Sequence, residues 1–258
     1  MNTIIEEQIM KILEQKHTVS VQELSERLYI SKMTVRRYLQ SMQEEHLVTR
    51  FHGGATLPGI TPGVSNTESD SSLANAETKR SVGKKGAEFL KKICQTEKIS
   101  SLALLSGNTV LSMIKQIDYP ISATITTDSV ASAYALCNAH VNENLIMLGG
   151  KISQPDMNVY GFLADQALTF LSFDYCFTGI AGISKSGDLY CYEYNLAAVI
   201  SRIFASSRHI VILADHSKFD RSRLVRICTV DSRFTLITDE AAPEKELLHL
   251  KEKGVLVL

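Results

Sequence analysis

The chain has 258 residues, of which 45% are hydrophobic and 21% are charged, values typical of globular proteins that exclude wholesale disorder. Its 27 Lys and Arg residues nearly balance 28 Asp and Glu residues, which excludes a globally basic nucleic-acid binder but not a local basic face. Five cysteines without CxxC spacing argue against a disulfide framework or a zinc ribbon. Neither a signal-peptide pattern nor a long apolar run is found, so we expect a soluble cytoplasmic protein.

The first 56 residues are predicted to form a small domain of three helices. Apolar residues recur at helical spacing between Ile5 and Leu13. A second helix is predicted to begin after Ser20, which forms a capping-box pattern with Glu23. The third is predicted from Ser31, its N-cap, to about Glu45. Short helices joined by so brief a turn are typical of a helix-turn-helix.

The third predicted helix carries donors suited to base edges and phosphates in a major groove. It is followed by a basic segment with paired glycines, which predicts a short strand and turn, or wing. The candidate DNA contacts are Ser31, Lys32, Thr34, Arg36, Arg37, Gln40, Arg50 and His52. The alternative interpretation is a three-helix bundle with solvated charges. The capped basic helix followed by a basic wing favours DNA binding.

Residues 57–76 hold two Pro, two Gly and many Ser, Asn and Thr residues, a composition that predicts a linker. We therefore predict a DNA-binding domain over residues 1–56 and a larger domain over residues 77–258. In the larger domain, short apolar runs alternate with amphipathic segments, which predicts an α/β fold with a mostly parallel sheet. The predicted strands are Leu102–Leu105, Ala123–Ile125, Leu145–Leu148, Cys176–Ile180, Ile210–Ala214, Leu236–Ile237 and Val255–Leu258.

Small and polar residues follow these predicted strands, at the sheet edge where ligands bind in open α/β folds. Backbone N–H groups and hydroxyls at helix starts suit a phosphate, and a lysine would neutralise its charge. Any single loop is also explained by ordinary helix capping, but several loops at one edge predict a pocket for an anionic small molecule. The candidate effector contacts are Ser106, Gly107, Asn108, Thr109, Thr127, Asp128, Ser129, Gly149, Gly150, Lys151, Asp215, Ser217 and Lys218.

No catalytic residue, metal site or cofactor is predicted. Proton transfer would need groups such as Asp128, Glu193, Asp215 or His216, but their spacing defines no catalytic arrangement. There is no GxGxxG or Walker A pattern and no metal-ligand spacing of histidines. The tyrosines that alternate over Tyr190–Tyr194 either line the pocket or pack in a strand, and the alternation favours packing.

The small domain resembles the winged helix-turn-helix of the DeoR family of bacterial transcription regulators. The stretches that carry the resemblance are Val19–Leu24, Ile30–Arg37, Leu47–Arg50 and His52–Ala55. This chain has Tyr38 where the family usually has Asp after the paired arginines, and a tyrosine hydroxyl can still donate to a phosphate.

The large domain resembles the effector domain of the same family. The matching stretches are Ser106–Thr109, Thr127–Ser129, Leu148–Gly150, Gly161, Gly179–Gly182, Leu213–Phe219 and Ile237–Asp239. The resemblance implies a fold similar to sugar-phosphate isomerases and a sensor for a phosphorylated sugar. The departures are Leu105 for Asp, Asn108 for Thr, Asp128 for Asn and Ile200-Ser201 for a Lys-Arg pair, and they make the pocket less cationic.

The sequence thus predicts a transcription regulator that represses genes of sugar uptake or catabolism and whose operator binding responds to a phosphorylated sugar. We expect a homo-oligomer, because one small domain makes few DNA contacts and repeated half-sites add to them. We expect no membrane partner. The alternatives are a sugar-phosphate-binding enzyme with an appended DNA-binding module and a regulator with a degenerate effector pocket.

Overall fold

The structure is a computed structural model that describes residues 3–16, 18–45, 47–51, 53–57, 74–142, 144–154 and 156–258. The chain divides into two compact units, one up to Thr67 and one from Glu68 onward. Most of the predicted linker lies outside the described residues, so the domain bounds stay a prediction. The first described helix of the large unit begins at Ala74, inside the stretch predicted as linker.

The small unit contains three helices and a three-stranded antiparallel sheet. The elements are α1 (Thr3–Lys16), β1 (Thr18–Ser20), α2 (Val21–Leu28), α3 (Lys32–Glu44), β2 (Thr49–Phe51) and β3 (Gly54–Thr56), with the strand order β1-β3-β2. The Ser20 hydroxyl accepts the Glu23 N–H at 3.0 Å, and the Ser31 hydroxyl accepts the Thr34 N–H at 3.1 Å. Both predicted N-caps are therefore confirmed. Strand β1 was not predicted, since three residues carry too little periodicity.

The large unit alternates strands and helices. Its helices are α4 (Ala74–Thr96), α5 (Asn108–Ile114), α6 (Val130–Ala139), α7 (Phe162–Leu168), α8 (Tyr194–Ala205) and α9 (Glu244–Glu252). Its strands are β4 (Ser101–Leu104), β5 (Thr124–Thr127), β6 (Leu145–Met147), β7 (Lys151–Ile152), β8 (Val159–Tyr160), β9 (Phe173–Thr178), β10 (Gly182–Ile183), β11 (Asp188–Cys191), β12 (Ser207–Leu213), β13 (Val225–Thr229), β14 (Phe234–Ile237) and β15 (Leu256–Val257).

Seven strands form one parallel sheet in the order β15-β14-β12-β9-β4-β5-β6. Each of them corresponds to one of the seven predicted apolar runs, so the α/β fold with a mostly parallel sheet is confirmed. The chain runs from β4 outward to β6, returns to the other side of β4 as β9, and continues outward to β15. The direction of winding therefore reverses between β4 and β9.

Apolar residues cover both faces of this sheet. Along β12, Ile210 and Ile212 belong to one buried cluster, whereas Val211 and Leu213 belong to the other. Burial on both faces explains why these strands are continuous apolar runs rather than alternating ones. No helix among the described residues is both long and apolar enough to cross a membrane.

The strands that the sequence did not predict lie outside this sheet. Strands β7 and β8 form a hairpin, and β10, β11 and β13 form a small antiparallel sheet. They are short or partly exposed and lack a long apolar run. The prediction that the alternating tyrosines pack in a strand is wrong for two of them, since Tyr192 is 51% exposed and Tyr194 is 75% exposed. Both lie beyond the strand, because β11 ends at Cys191 and α8 begins at Tyr194.

Candidate functional site

The exposed face of α3 is the candidate surface of the small unit. Arg36 and Arg37 are exposed, and neither makes a hydrogen bond or ion pair with another described residue. Gln40 is also exposed, and its amide lies 3.4 Å from the carboxylate of Glu44 one turn on. Two guanidinium groups on exposed positions of one helix, paired with no other described residue, are suited to an anionic partner such as a phosphate backbone.

The other predicted contacts on α3 already have partners within the unit. Ser31 and Thr34 are joined through their hydroxyls at 2.8 Å in addition to the cap. Lys32 donates from Nζ to the side-chain oxygen of Gln22 on α2 at 3.3 Å. These interactions fix the start of α3 against α2. These hydrogen bonds are exposed to solvent, so a bound ligand can replace them.

The predicted wing corresponds to a hairpin of β2 and β3. Arg50 lies half-buried on β2, and His52 lies outside the described residues. Gly53 adopts a φ of +94°, a conformation that glycine adopts without strain. Tyr38, considered above as a phosphate donor, is buried in the core of the small unit, so its side chain contributes to packing.

The candidate site of the large unit lies at the carboxyl edge of the parallel sheet. The loop that follows β4 contains Ser106 and Gly107 and leads into α5, whose first turn holds Asn108 and Thr109. An ideal Cβ on Gly107 would lie 3.5 Å from the Cα of Gly179, in the loop that follows β9. The two loops therefore lie close together where the winding direction reverses, which is the usual place of the ligand crevice in open α/β sheets. The candidate contacts did not include Gly179, because only the strand order places it beside Gly107.

Asp128 connects the loops after β4 and β5. Its carboxylate is fully buried and accepts the Ser106 N–H at 2.6 Å and the Ser106 hydroxyl at 3.1 Å. Burial raises the pKa of Asp128 to about 6, although the hydrogen bonds from Ser106 lower it. Asp128 thus fixes the Ser106 loop from inside the protein and occupies donors that a phosphate at this loop would use.

The residues beside Asp128 take structural hydrogen bonds. The Thr127 hydroxyl accepts the Ser129 N–H at 3.2 Å, and the Ser129 hydroxyl caps α6 by accepting the Ser132 N–H at 3.2 Å. Both side chains are buried. Their hydroxyls hold the start of α6 in place.

Gly149, Gly150 and Lys151 follow β6, the edge strand on this side of the sheet. Gly150 has a φ of +145°, and a Cβ there would overlap the carbonyl oxygen of Tyr160. The β7–β8 hairpin therefore requires this glycine. Lys151 is exposed, and its Nζ lies 6.0 Å from the centroid of the Tyr160 ring.

Asp215, Ser217 and Lys218 follow β12, on the other side of β9. The Asp215 carboxylate accepts the Ser217 N–H at 2.9 Å and caps a 3₁₀ turn, His216–Lys218. Its second oxygen, Oδ2, is buried and has no hydrogen-bond partner among the described residues. Strands β9 and β4 lie between this loop and Asp128, so the structure does not bring the two aspartates together.

His216 joins the Asp215 loop to the end of β14, and Lys85 joins helix α4 to the same end. The His216 N–H donates to Asp239 Oδ1 at 2.6 Å, and His216 Nδ1 lies 2.7 Å from Asp239 Oδ2. Burial alone would raise the pKa of Asp239, but its hydrogen bonds with His216 bring it below the ordinary value. Lys85 on α4 donates to the Thr238 carbonyl at 2.9 Å. The sequence offered no signal for this contact, which joins residues far apart in the chain.

The arrangement offers hydrogen-bond donors and acceptors from several loops, and among the described residues no catalytic constellation is recognised. Within the described ranges, no group of three or more His, Cys, Asp or Glu side chains is placed to hold a metal ion. The carboxylates at this edge act as loop-fixing acceptors. The edge is therefore suited to binding a polar small molecule.

Models of two protein-family domains match the chain. Residues 6–61 match the DeoR-like helix-turn-helix domain, and residues 74–240 match the DeoR C terminal sensor domain. A glycerol-3-phosphate regulon repressor of Escherichia coli (strain K12) is 28% identical over 237 residues, covering 91% of this chain and 90% of the relative. The glycerol-3-phosphate regulon repressor of Haemophilus influenzae is 29% identical over 261 residues, covering 98% and 95%.

Solved structures resemble the chain only distantly. A ribose 5-phosphate isomerase A from Methanocaldococcus jannaschii is 13% identical with a TM-score of 0.40, over 56% of this chain and 55% of that one. A transcriptional regulator from Streptococcus pneumoniae TIGR4 is 12% identical with a TM-score of 0.39, over 73% and 90%. Similarities this weak do not bear on activity.

Proposed function

Because the chain belongs to the DeoR family of bacterial transcription regulators, we propose that it represses genes of sugar uptake or catabolism by binding operator DNA, and that a phosphorylated sugar modulates this binding. The match of both the small and the large unit to domains of this family carries the proposal. The glycerol-3-phosphate regulon repressors among its relatives support repression of genes for a phosphorylated carbon source.

The basic face of α3 is the proposed DNA contact. Arg36 and Arg37 would bind phosphates or guanine, since both are exposed and unpaired with other described residues. The remaining proposed contacts are Ser31, Lys32, Thr34 and Gln40 on or before α3, and Arg50 and His52 in the wing. One such helix contacts few phosphates, so we propose a homo-oligomer that binds repeated half-sites.

The crevice between the loops after β4 and β9 is the proposed effector site. Gly107 and Gly179, which lie close together and carry no side chains, allow a ligand to approach the backbone closely. A ligand there that prefers one conformation of the protein shifts the DNA-competent population, by no more than its differential affinity for the two states. We propose that this site binds without turnover, because Asp128, the carboxylate beside it, is engaged in fixing the Ser106 loop.

A DNA-binding experiment tests the first part of the proposal. Duplexes that bind the full-length chain would be selected from a random library, and affinity measured between low and moderate salt. Replacing Arg36 by Ala should weaken binding and reduce the slope of log affinity against log salt by about one. Lys11→Ala, which removes an exposed base of α1 in the same unit, is the matched control. Unchanged binding by Arg36→Ala would remove that residue from the interface.

A thermal-shift panel of sugar phosphates and the corresponding free sugars tests the effector. A ligand at about 100 times its dissociation constant adds roughly 2.7 kcal/mol to the free energy of unfolding. Stabilisation by one phosphorylated sugar, together with release of the selected duplex, is the expected result. Turnover of a pentose or hexose phosphate would instead favour the alternative of a sugar-phosphate-binding enzyme with an appended DNA-binding module. A panel without any shift, with DNA binding intact, would favour a regulator with a degenerate pocket.

A further inference from the structure

Met33 lies at the centre of the outward face of α3. Successive residues of an α-helix are rotated by about 100° around its axis. The buried side of α3 comprises Val35, Tyr38, Leu39 and Met42. With that rotation, the line directly opposite the buried side comprises Met33, Arg37, Gln40 and Glu44. The predicted contacts Lys32 and Thr34 lie on either side of this line.

Met33 is the apolar member of an otherwise polar face. Its side chain is 73% exposed, so it contributes little to the core of the small unit. A single exposed apolar residue on a protein surface is common and needs no explanation by itself. The location in the first turn of α3 is what distinguishes Met33, since the N-terminal residues of a recognition helix contact base edges.

The polar neighbours of Met33 are engaged in fixing the start of the helix. Thr34 is bonded to Ser31 through the cap, and Lys32 contacts Gln22 on α2. In the first turn, Met33 is thus the side chain that extends from the middle of the face. The apolar group that the major groove presents at a base edge is the C5-methyl of thymine. An unbranched, polarisable methionine adapts readily to such a contact.

We propose that Met33 is a specificity-determining residue that contacts a thymine methyl in the major groove. This inference rests on the proposed DNA-binding function of α3. The hydrogen-bonding residues on the same line, Arg37 and Gln40, then lie one and two turns further along the groove. The contact requires thymine, because cytosine and uracil lack the methyl group.

Uracil substitution tests the contact directly. In a duplex selected by the full-length chain from a random library, each thymine is replaced in turn by uracil, which removes one methyl and keeps the pairing edge. Affinity is measured by fluorescence anisotropy at fixed salt. We expect at least one thymine position at which uracil weakens binding about fourfold, equivalent to about 0.8 kcal/mol for one buried methyl.

Variants assign the effect to Met33. Met33→Ala should bind the thymine and uracil duplexes equally, whereas Met33→Leu should still prefer thymine. Tyr29→Ala removes another exposed side chain of the small unit, one that precedes α3, and should keep the full thymine preference. A wild-type chain indifferent to every uracil, or a Met33→Ala variant with undiminished preference, overturns this inference alone. Failure to select any duplex overturns the proposed DNA binding itself.

Discussion

Replacing Asp128 by Asn should stabilise the large unit at neutral pH. The carboxylate is fully buried, and no Lys, Arg or His side chain pairs with it among the described residues. Its partners are the N–H and hydroxyl of Ser106. Asparagine has the same shape: its carbonyl can accept the Ser106 N–H, and its amide can donate to the Ser106 hydroxyl.

The magnitude follows from the pKa of Asp128. Burial raises that pKa from 3.8 to about 6. Two pKa units correspond to about 3 kcal/mol of unfolding free energy lost by keeping the buried group ionised. The pKa of Asp128 is higher in the folded state than in the unfolded state. The stability that protonated Asp128 contributes is therefore fully present below about pH 4 and is lost as the pH rises through about 6. Asp128→Asn should therefore be more stable than wild type by about 3 kcal/mol at pH 7 and nearly equal to it at about pH 4.

Urea unfolding of the full-length chain, followed by far-UV circular dichroism because the chain has no Trp, measures this difference across the pH range. Asp231→Asn is the matched control, since that carboxylate is half-exposed and pairs with Arg233 at 3.1 Å. Burial alone would raise the pKa of Asp231, but the hydrogen bonds from Arg233 bring it below the ordinary value, so the control should not gain stability at pH 7. A stability difference for Asp128→Asn that does not change with pH would refute the reasoning.

Three further substitutions test local backbone and capping effects by the same unfolding assay. Tyr29→Asn should stabilise the small unit by about 1 kcal/mol, because Tyr29 is 93% exposed and adopts a left-handed φ of 53°, which strains a tyrosine more than an asparagine. A destabilised variant would contradict this strain. Gly150→Ala should destabilise the large unit by about 2 kcal/mol or more, whereas Gly149→Ala should be neutral, because no described atom lies within 4 Å of the added Cβ. Equal effects of the two substitutions would argue against the hairpin geometry. Ser31→Ala should cost about 1 kcal/mol by leaving the Thr34 N–H without its cap, and an unchanged midpoint would show that water replaces the hydroxyl.

Most of the candidate DNA surface could be predicted from the sequence because its determinants are local. The N-caps Ser20 and Ser31 act on N–H groups three residues away, and the apolar stripe of α3 repeats within one helix. Met33 was not among the candidate DNA contacts, although the same helical periodicity places it on the exposed face of α3. The candidate contacts were chosen as hydrogen-bonding groups, and the thymine methyl is recognised by an apolar one.

The seven strands of the large sheet were also predictable. Burial on both faces demands continuous apolar runs, and this signal does not depend on which strands are neighbours. Parallel strands place all their carboxyl ends at one edge, so the polar loops could be assigned to that edge as well. The sequence alone therefore determined the fold class and the side of the sheet on which a ligand site is expected.

Only the tertiary structure decided which loops meet. The strand order results from pairings between distant segments, such as β4 with β9 and β12 with β14. That order places the winding reversal between β4 and β9, brings Gly107 close to Gly179, and separates Asp128 from Asp215. The packing of α4 against the sheet also brings Lys85 to the Thr238 carbonyl. Such contacts depend on packing energies summed over the whole core, which no short sequence pattern contains.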